Sequence, residues 1–155
     1  IESEVFNSQK VWTQVLALYH HNIEAKNIDL VASNLEQPIY ADQGSYSFVT
    51  RNILHNAIKF TPENGSILID LTKKGDRTIT TIEDNGVGIN EEKLNKILYS
   101  KEWVTTAGTN DEKGTGFGLK AAAKYIEIMN GKLQIESTPG KGTKVIIDLP
   151  GNLSN

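Results

Sequence analysis

The chain has 155 residues, 38% of them hydrophobic and 23% charged, with a net charge of −3 at pH 7. That length fills one core and is short for two, and the composition is globular rather than disordered. No cysteine is present, which excludes disulfides and thiol chemistry; the acidic balance does not favour nucleic acid; and no apolar run is long enough to span a bilayer, so no direct membrane contact is expected.

The chain opens on Ile1 rather than Met and shows no signal peptide, which reads as a processed or engineered fragment. Residues 8–27 predict a helix with Val11, Val15, Leu18 and Tyr19 on one face and Ser8 placed to cap its start. Two short strands are expected at residues 28–32 and 38–41. A second helix runs from about Ser45 to Phe60 and stops at Thr61-Pro62, because the residue before proline disfavours helical backbone. Residues 66–73 and 78–83, rich in Ile, Leu and Thr, predict a hairpin turning at Lys74-Gly75-Asp76-Arg77. Residues 91–99 predict a short helix. Residues 101–116 have no periodicity, and a loop that long in a compact domain marks a functional segment. Residues 117–129 predict a third long helix, stopped by Asn130-Gly131. Strands at 132–137 and 143–149 flank a Pro139-Gly140-Lys141-Gly142 turn, and residues 151–155 form a polar tail after Pro150. Strands arriving mainly as antiparallel pairs, without strict helix alternation, predict an α+β fold. The expected form is a single domain over residues 1–155, a two-layer α/β sandwich with helices on one face of a mixed, mostly antiparallel sheet.

Three places carry candidate chemistry. On the second helix Asn52, Asn56 and Lys59 share one narrow face, while Val49, Ile53, Leu54, Ala57, Ile58 and Phe60 cover the wide remainder. The stripe is either the wet side of the helix or a ligand wall. As a ligand wall it suits Mg²⁺, which takes a neutral amide oxygen along with phosphate and water, and Lys59 suits a phosphate. Asp84-Asn85-Gly86-Val87-Gly88-Ile89 follows a strand. It is either a plain turn or a carboxylate placed to accept from the exocyclic amine of adenine. Gly114-Thr115-Gly116-Phe117-Gly118-Leu119, with Lys113 before it, opens the third helix, where free N–H groups attract phosphate. It is neither a Walker A loop nor a dinucleotide fingerprint. His20, His21 and His55 lack the HExxH spacing of a zinc site.

In this order the pieces resemble the histidine kinase ATPase family. Asn52 to Pro62 looks like its N box, Asp84 to Gly88 its first glycine box, Gly114 to Leu119 its second, and Gly140-Lys141-Gly142-Thr143 its terminal glycine-threonine element. The resemblance covers about Val11 to Pro150. It implies the Bergerat ATP-binding fold, with Asn56 on Mg²⁺, and Asn52 and Lys59 near the triphosphate. It also implies Asp84 on adenine, Gly86, Gly88 and Ile89 close by, and Phe60 against the ring. Gly114, Thr115, Gly116, Gly118 and Leu119, with Lys113, would border the phosphates; Thr143 would reach the base through water; and residues 90–113 would form an ATP lid. The stretch from Ile97 to Trp103 lacks the phenylalanine of the family's F box, and Tyr99 or Trp103 is expected to take over its packing.

The resemblance further implies an ATP-dependent protein-histidine kinase. Gyrase-type relatives place a water-activating glutamate four residues before the metal-binding asparagine. Here that residue is Asn52, which cannot act as a general base near neutral pH. Neither His20-His21 nor His55 matches the family's acceptor motif. The expected acceptor is therefore a histidine on a separate dimerisation domain of the same parent, with a response regulator receiver domain downstream. The expected setting is cytoplasmic, and the isolated chain is expected to be a monomer. Two alternatives remain: a serine kinase of the anti-sigma-factor type, and an ATP-gated binding module that transfers nothing.

Overall fold

The structure, a computed structural model, describes residues 1–99 and 118–151. In chain order its elements are β1 (Glu4–Asn7), α1 (Ser8–Ala25), β2 (Asp29–Ser33), β3 (Pro38–Ala41), α2 (Gln43–Phe60), β4 (Ser66–Lys74) and β5 (Arg77–Asp84). They continue with α3 (Glu91–Tyr99), α4 (Gly118–Ile128), β6 (Lys132–Thr138) and β7 (Gly142–Leu149).

The helix starts follow from side-chain caps. Asp42 closes the start of α2 by accepting from Ser45 N at 2.9 Å, so that helix begins earlier than its apolar periodicity suggests. At α1 the cap is Asn7, not Ser8: the Asn7 side chain accepts from Gln9 N at 3.0 Å. Ser8 is instead buried, donating to Leu35 O and accepting from Gln37 N. The buried face of α1 therefore runs through Ser8, Val11, Trp12 and Val15, with Tyr19 half-buried and Leu18 57% exposed. At the other end of the molecule Asn130 adopts φ 59°, and Gly131 N returns to Ile126 O at 2.9 Å, closing α4.

Two sheets form. β1 pairs antiparallel with β3, a strand pair for which residues 4–7 gave no periodic signal. The main sheet has five strands in the order β2-β4-β5-β7-β6; β2 runs parallel to β4 and every other pair is antiparallel. This is the expected α+β sandwich. The register places Ile69, Ile82, Val145 and Ile135 in one rung across β4, β5, β7 and β6. The next rung on the same face is Ile67, Asp84, Thr143 and Ser137. A greasy row is thus followed by a polar row where the sheet meets the mouth of the helical layer.

The helices cover that face. Val49, Ile53, Leu54 and Ile58 of α2 are all under 5% exposed, and α2 packs against both α1 and α4. Trp12 Nε1 donates to Tyr46 OH at 3.1 Å, and that hydroxyl lies 2.9 Å from Thr80 Oγ1, tying α1 and α2 to β5 through the core. Burial pushes the Tyr46 phenol up to about 12, so it stays a neutral donor. Gly151, the first residue of the expected tail, is buried, with its Cα against the Asp76 carbonyl, and residues 152–155 lie outside the described residues. No helix among the described residues is long and apolar enough to cross a membrane.

Candidate functional site

A cleft of about 900 Å³, its mouth included, opens between the cavity face of α2 and the inner face of the sheet. Its floor is the apolar rung: Ile82, Val145 and Ile135. Its side wall is α2, which contributes Asn52, Asn56, Lys59 and Phe60. The polar stripe is therefore not a wet helix face. Lys59 is 4% exposed, with Nζ 5.2 Å from the centroid of the Phe60 ring, and Asn52 and Asn56 are half-buried.

The end of β5 carries Asp84 into the cleft. The carboxylate is 8% exposed, and its Oδ1 accepts from Gly86 N at 2.9 Å and Thr143 N at 3.2 Å. Both bonds fall on one oxygen, which leaves Oδ2 for a ligand. Burial pushes this carboxyl up to about 6; the two backbone bonds oppose the shift and the neighbouring Glu83 charge adds to it. At neutral pH the group is thus mostly ionised, an acceptor held in apolar surroundings.

The glycines around Asp84 serve the chain's own packing. A Cβ on Gly86 would sit 2.2 Å from Phe60 O, and one on Gly88, at φ +71°, 2.1 Å from Thr138 O. Val87 N reaches Phe60 O at 3.0 Å, so the turn after β5 lies directly on the end of α2. Gly86 and Gly88 are absent from the cleft wall; Gly86 acts on the site through its N–H on Asp84. Ile89 does line the cleft.

Asn52 spends a donor on Phe48 O at 2.7 Å, one turn back. Its Oδ1 lies close to Gly118, where a Cβ would come within 2.8 Å. The first turn of α4 is thereby seated over the amide stripe, and Gly118 and Leu119 both line the cleft. Lys113, Gly114, Thr115 and Gly116 lie outside the described residues, as does the expected lid beyond Tyr99. Sequence reasoning missed the contribution of α3. Tyr99 is 78% exposed and does not line the cleft, whereas Leu94 and Ile97 do. Their spacing along α3 was the available signal. His55 also lines the cleft, with its ring centroid 5.8 Å from that of Tyr19.

Of the expected site residues that are described, Asn52, Asn56, Lys59, Phe60, Asp84, Ile89, Gly118, Leu119 and Thr143 thus surround one cleft. Residues 41–153 match the profile of histidine kinase-, DNA gyrase B- and HSP90-like ATPases. The sensor protein DegM of Bacillus sp. (strain B21-2) is 31% identical over 94% of this chain and 38% of its own length. Sporulation kinase E of Bacillus subtilis (strain 168) is 36% identical over 73% of this chain and 15% of its own. The chain therefore spans well under half the length of these relatives. Among solved structures, a nucleotide-free form of the catalytic domain of the histidine kinase ThkA superposes with a TM-score of 0.81 at 29% identity, covering 97% of this chain and 96% of that one. ThkA in complex with the response regulator protein TrrA gives a TM-score of 0.76 at 26% identity, over 97% of this chain and 42% of that one. The chain belongs to the histidine kinase-, DNA gyrase B- and HSP90-like ATPase family, as a histidine kinase-type catalytic domain homologous to sensor histidine kinases.

Proposed function

We propose that this chain binds ATP with Mg²⁺ and presents the γ-phosphoryl group to a histidine on a dimerisation domain of the same parent protein. One observation carries the reading: Asp84, its Oδ1 held by two backbone N–H groups, shares a cleft with the amide stripe of α2. A buried acceptor of that kind suits the exocyclic amine of adenine and repels the carbonyl oxygen that guanine carries there. Asn52, Asn56 and Lys59 line the same cleft from α2 and suit the phosphate end. The donor set on α2 fits Mg²⁺: Asn56 offers one hard neutral oxygen, and the described residues hold no cluster of three acidic, His or Cys ligands that would replace phosphate and water. When bound, the ion neutralises charge developing on the transferring group.

The chain's own residues bind and orient. Asp84 is the one carboxylate lining the cleft among the described residues. It is committed to the base end, so no carboxylate among the described residues of the cleft is placed to activate water, which favours holding ATP for transfer over hydrolysing it. Phe60 and the apolar floor exclude water from the base. The reading extends to a lid over residues 90–113, a response regulator downstream, as ThkA is found with TrrA, a cytoplasmic setting and a monomeric isolated chain. The test is transfer of γ-labelled phosphate from ATP to the parent's dimerisation domain. Acid-labile label on that domain supports the reading. Acid-stable label would point to a serine kinase, and nucleotide binding without any transfer to a binding module.

A further inference from the structure

Lys26 belongs to none of the sequence motifs and does not line the cleft, yet it is buried. Its ammonium donates to Ile58 O, Lys59 O and Thr61 O, all within 3.2 Å, at the end of α2. An ammonium has three protons to give, so the three carbonyls can be met at once. The backbone carbonyl of Lys26 accepts from Asn64 N at 2.8 Å, and Asn27 Nδ2 donates to Asn64 Oδ1 at 2.7 Å. The end of α1 thus grips the chain on both sides of Pro62.

Two contacts carry that grip to Asp84. Val87 N donates to Phe60 O at 3.0 Å, and a Cβ on Gly86 would sit 2.2 Å from that same oxygen. Gly86 N is the nearer of the two donors on Asp84 Oδ1, at 2.9 Å against 3.2 Å for Thr143 N. On the other side, Ser66 N donates to Asn85 Oδ1 at 2.8 Å and Asn85 N to Ser66 O at 3.2 Å, directly after the gripped turn. The place of the Asp84 carboxylate is therefore referred to the last turn of α2. The last turn of a helix has carbonyls without partners and frays; here a buried cation, favoured by the helix dipole, pins it.

We propose that Lys26 is a positioning residue for the base end of the cleft. By pinning the last turn of α2 it fixes Phe60 O, through it Gly86 N, and through that the carboxylate of Asp84 that accepts from the exocyclic amine of adenine. The proposal rests on the ATP reading above. A cap that only stabilises the fold changes the fraction of folded chain. A positioning residue changes the affinity of the folded chain, and only for ligands that use Asp84.

The test is calorimetric binding of two nucleotides to the 155-residue chain: ADP, and purine riboside diphosphate, which lacks the exocyclic amine. Lys26→Met should weaken ADP by roughly five- to tenfold at unchanged stoichiometry, the range of one hydrogen bond, and should leave purine riboside diphosphate within about twofold. In the Asp84→Asn background, where the acceptor is already altered, Lys26→Met should change ADP affinity by less than about twofold, the non-additivity of two residues that act as one unit. If Lys26→Met does not fold, Lys26→Gln, which keeps an amide donor at shorter reach, carries the same comparison. Equal losses for both nucleotides, additive losses with Asp84→Asn, or unchanged ADP affinity would each overturn the proposal and leave Lys26 as a helix cap alone. Failure of the unaltered chain to bind ADP would instead sink the ATP reading itself.

Discussion

Lys26, just beyond the end of α1, places Nζ 2.8 Å from the carbonyl oxygen of Ile58 in the last turn of α2. The same ammonium donates to Lys59 O at 3.2 Å and Thr61 O at 3.0 Å. The last carbonyls of a helix have no partner within it, and the dipole there favours a cation. Lys26 is 4% exposed, so these bonds are made away from water. The turn they fix is the one that carries Lys59 and Phe60 into the cleft and receives Val87 N on Phe60 O at 3.0 Å. Lys26→Met keeps the stem and removes three buried charge-assisted hydrogen bonds, with Ile58 O keeping Thr61 N at 3.3 Å. It should cost roughly 2–3 kcal/mol, read as a lower urea midpoint at unchanged slope. A variant as stable as the parent chain would show that water replaces the ammonium.

Asp84→Asn separates binding from stability. The amide keeps an oxygen for Gly86 N and Thr143 N but puts a donor where an amine donor is to be met. ADP affinity should fall by about ten- to a hundredfold in calorimetry. The unliganded chain should become more stable at pH 7.5, since a desolvated charge is gone. The carboxyl titrates at about 6 in the fold against 3.8 for the free side chain, so on the order of 2–3 kcal/mol is at stake. A higher melting temperature with weaker binding is the expected pair; a fall in both would mark Asp84 as structural.

The pH dependence follows from the same shift. A carboxyl raised in the fold contributes stability that is fully present below its unfolded value, and that stability is lost as pH rises from about 3.8 through about 6. Binding runs the other way, because only the ionised form accepts from the base. ADP affinity should fall by about tenfold per unit as pH drops below about 6. The Asp84→Asn variant, titrated in parallel, removes the contribution of the nucleotide's own phosphates. Parallel curves for the two proteins would show that Asp84 does not control binding.

Much of this site was legible because it depends on local pattern. Asn52, Asn56 and Lys59 share a helical stripe, and Asp84 stands at a strand end before glycine; both facts lie within a few residues. What was not legible depends on register and long reach. That Asp84, Thr143 and Ser137 share a rung is set by two hairpin turns acting together. Lys26 meets a helix end more than thirty residues away, and nothing near Lys26 in the chain announces it. Leu94 and Ile97 carry no signal beyond their helical spacing, and which side of α3 meets the cleft is set by packing far from it in the chain.

The β6–β7 turn offers an internal comparison. Gly140 and Gly142 both have positive φ, +80° and +121°, so alanine is strained at each. Nothing lies within 4 Å of a Cβ on Gly140, but one on Gly142 would sit 2.0 Å from Asp84 O. Gly140→Ala should cost about 1 kcal/mol, the conformational term alone. Gly142→Ala should cost roughly 3 kcal/mol or more and should also weaken ADP, because backbone must move at the residue that holds the base acceptor. Denaturation midpoints of the two variants decide; equal costs would mean that the close approach relaxes freely.

Asn56 stands one helical turn beyond Asn52 on the cleft wall, and the two amides are not equivalent. Asn52 has a donor committed to Phe48 O and its oxygen near Gly118, so it is braced within the protein. Among the described residues Asn56 has no such brace, which is why the proposed ligand role falls to it. Asn56→Ala should therefore leave fold stability within about 0.5 kcal/mol while reducing the enhancement of ATP affinity by Mg²⁺ by about tenfold or more. The measurement is ATP affinity with Mg²⁺ and with EDTA for each protein. The ratio of the two affinities, not either alone, reports the metal. An Asn52→Ala variant should show the opposite emphasis, with stability lowered and that ratio less affected, because its amide joins α2 to α4. If Asn56→Ala keeps the full ratio, the oxygen that meets the ion is not on Asn56.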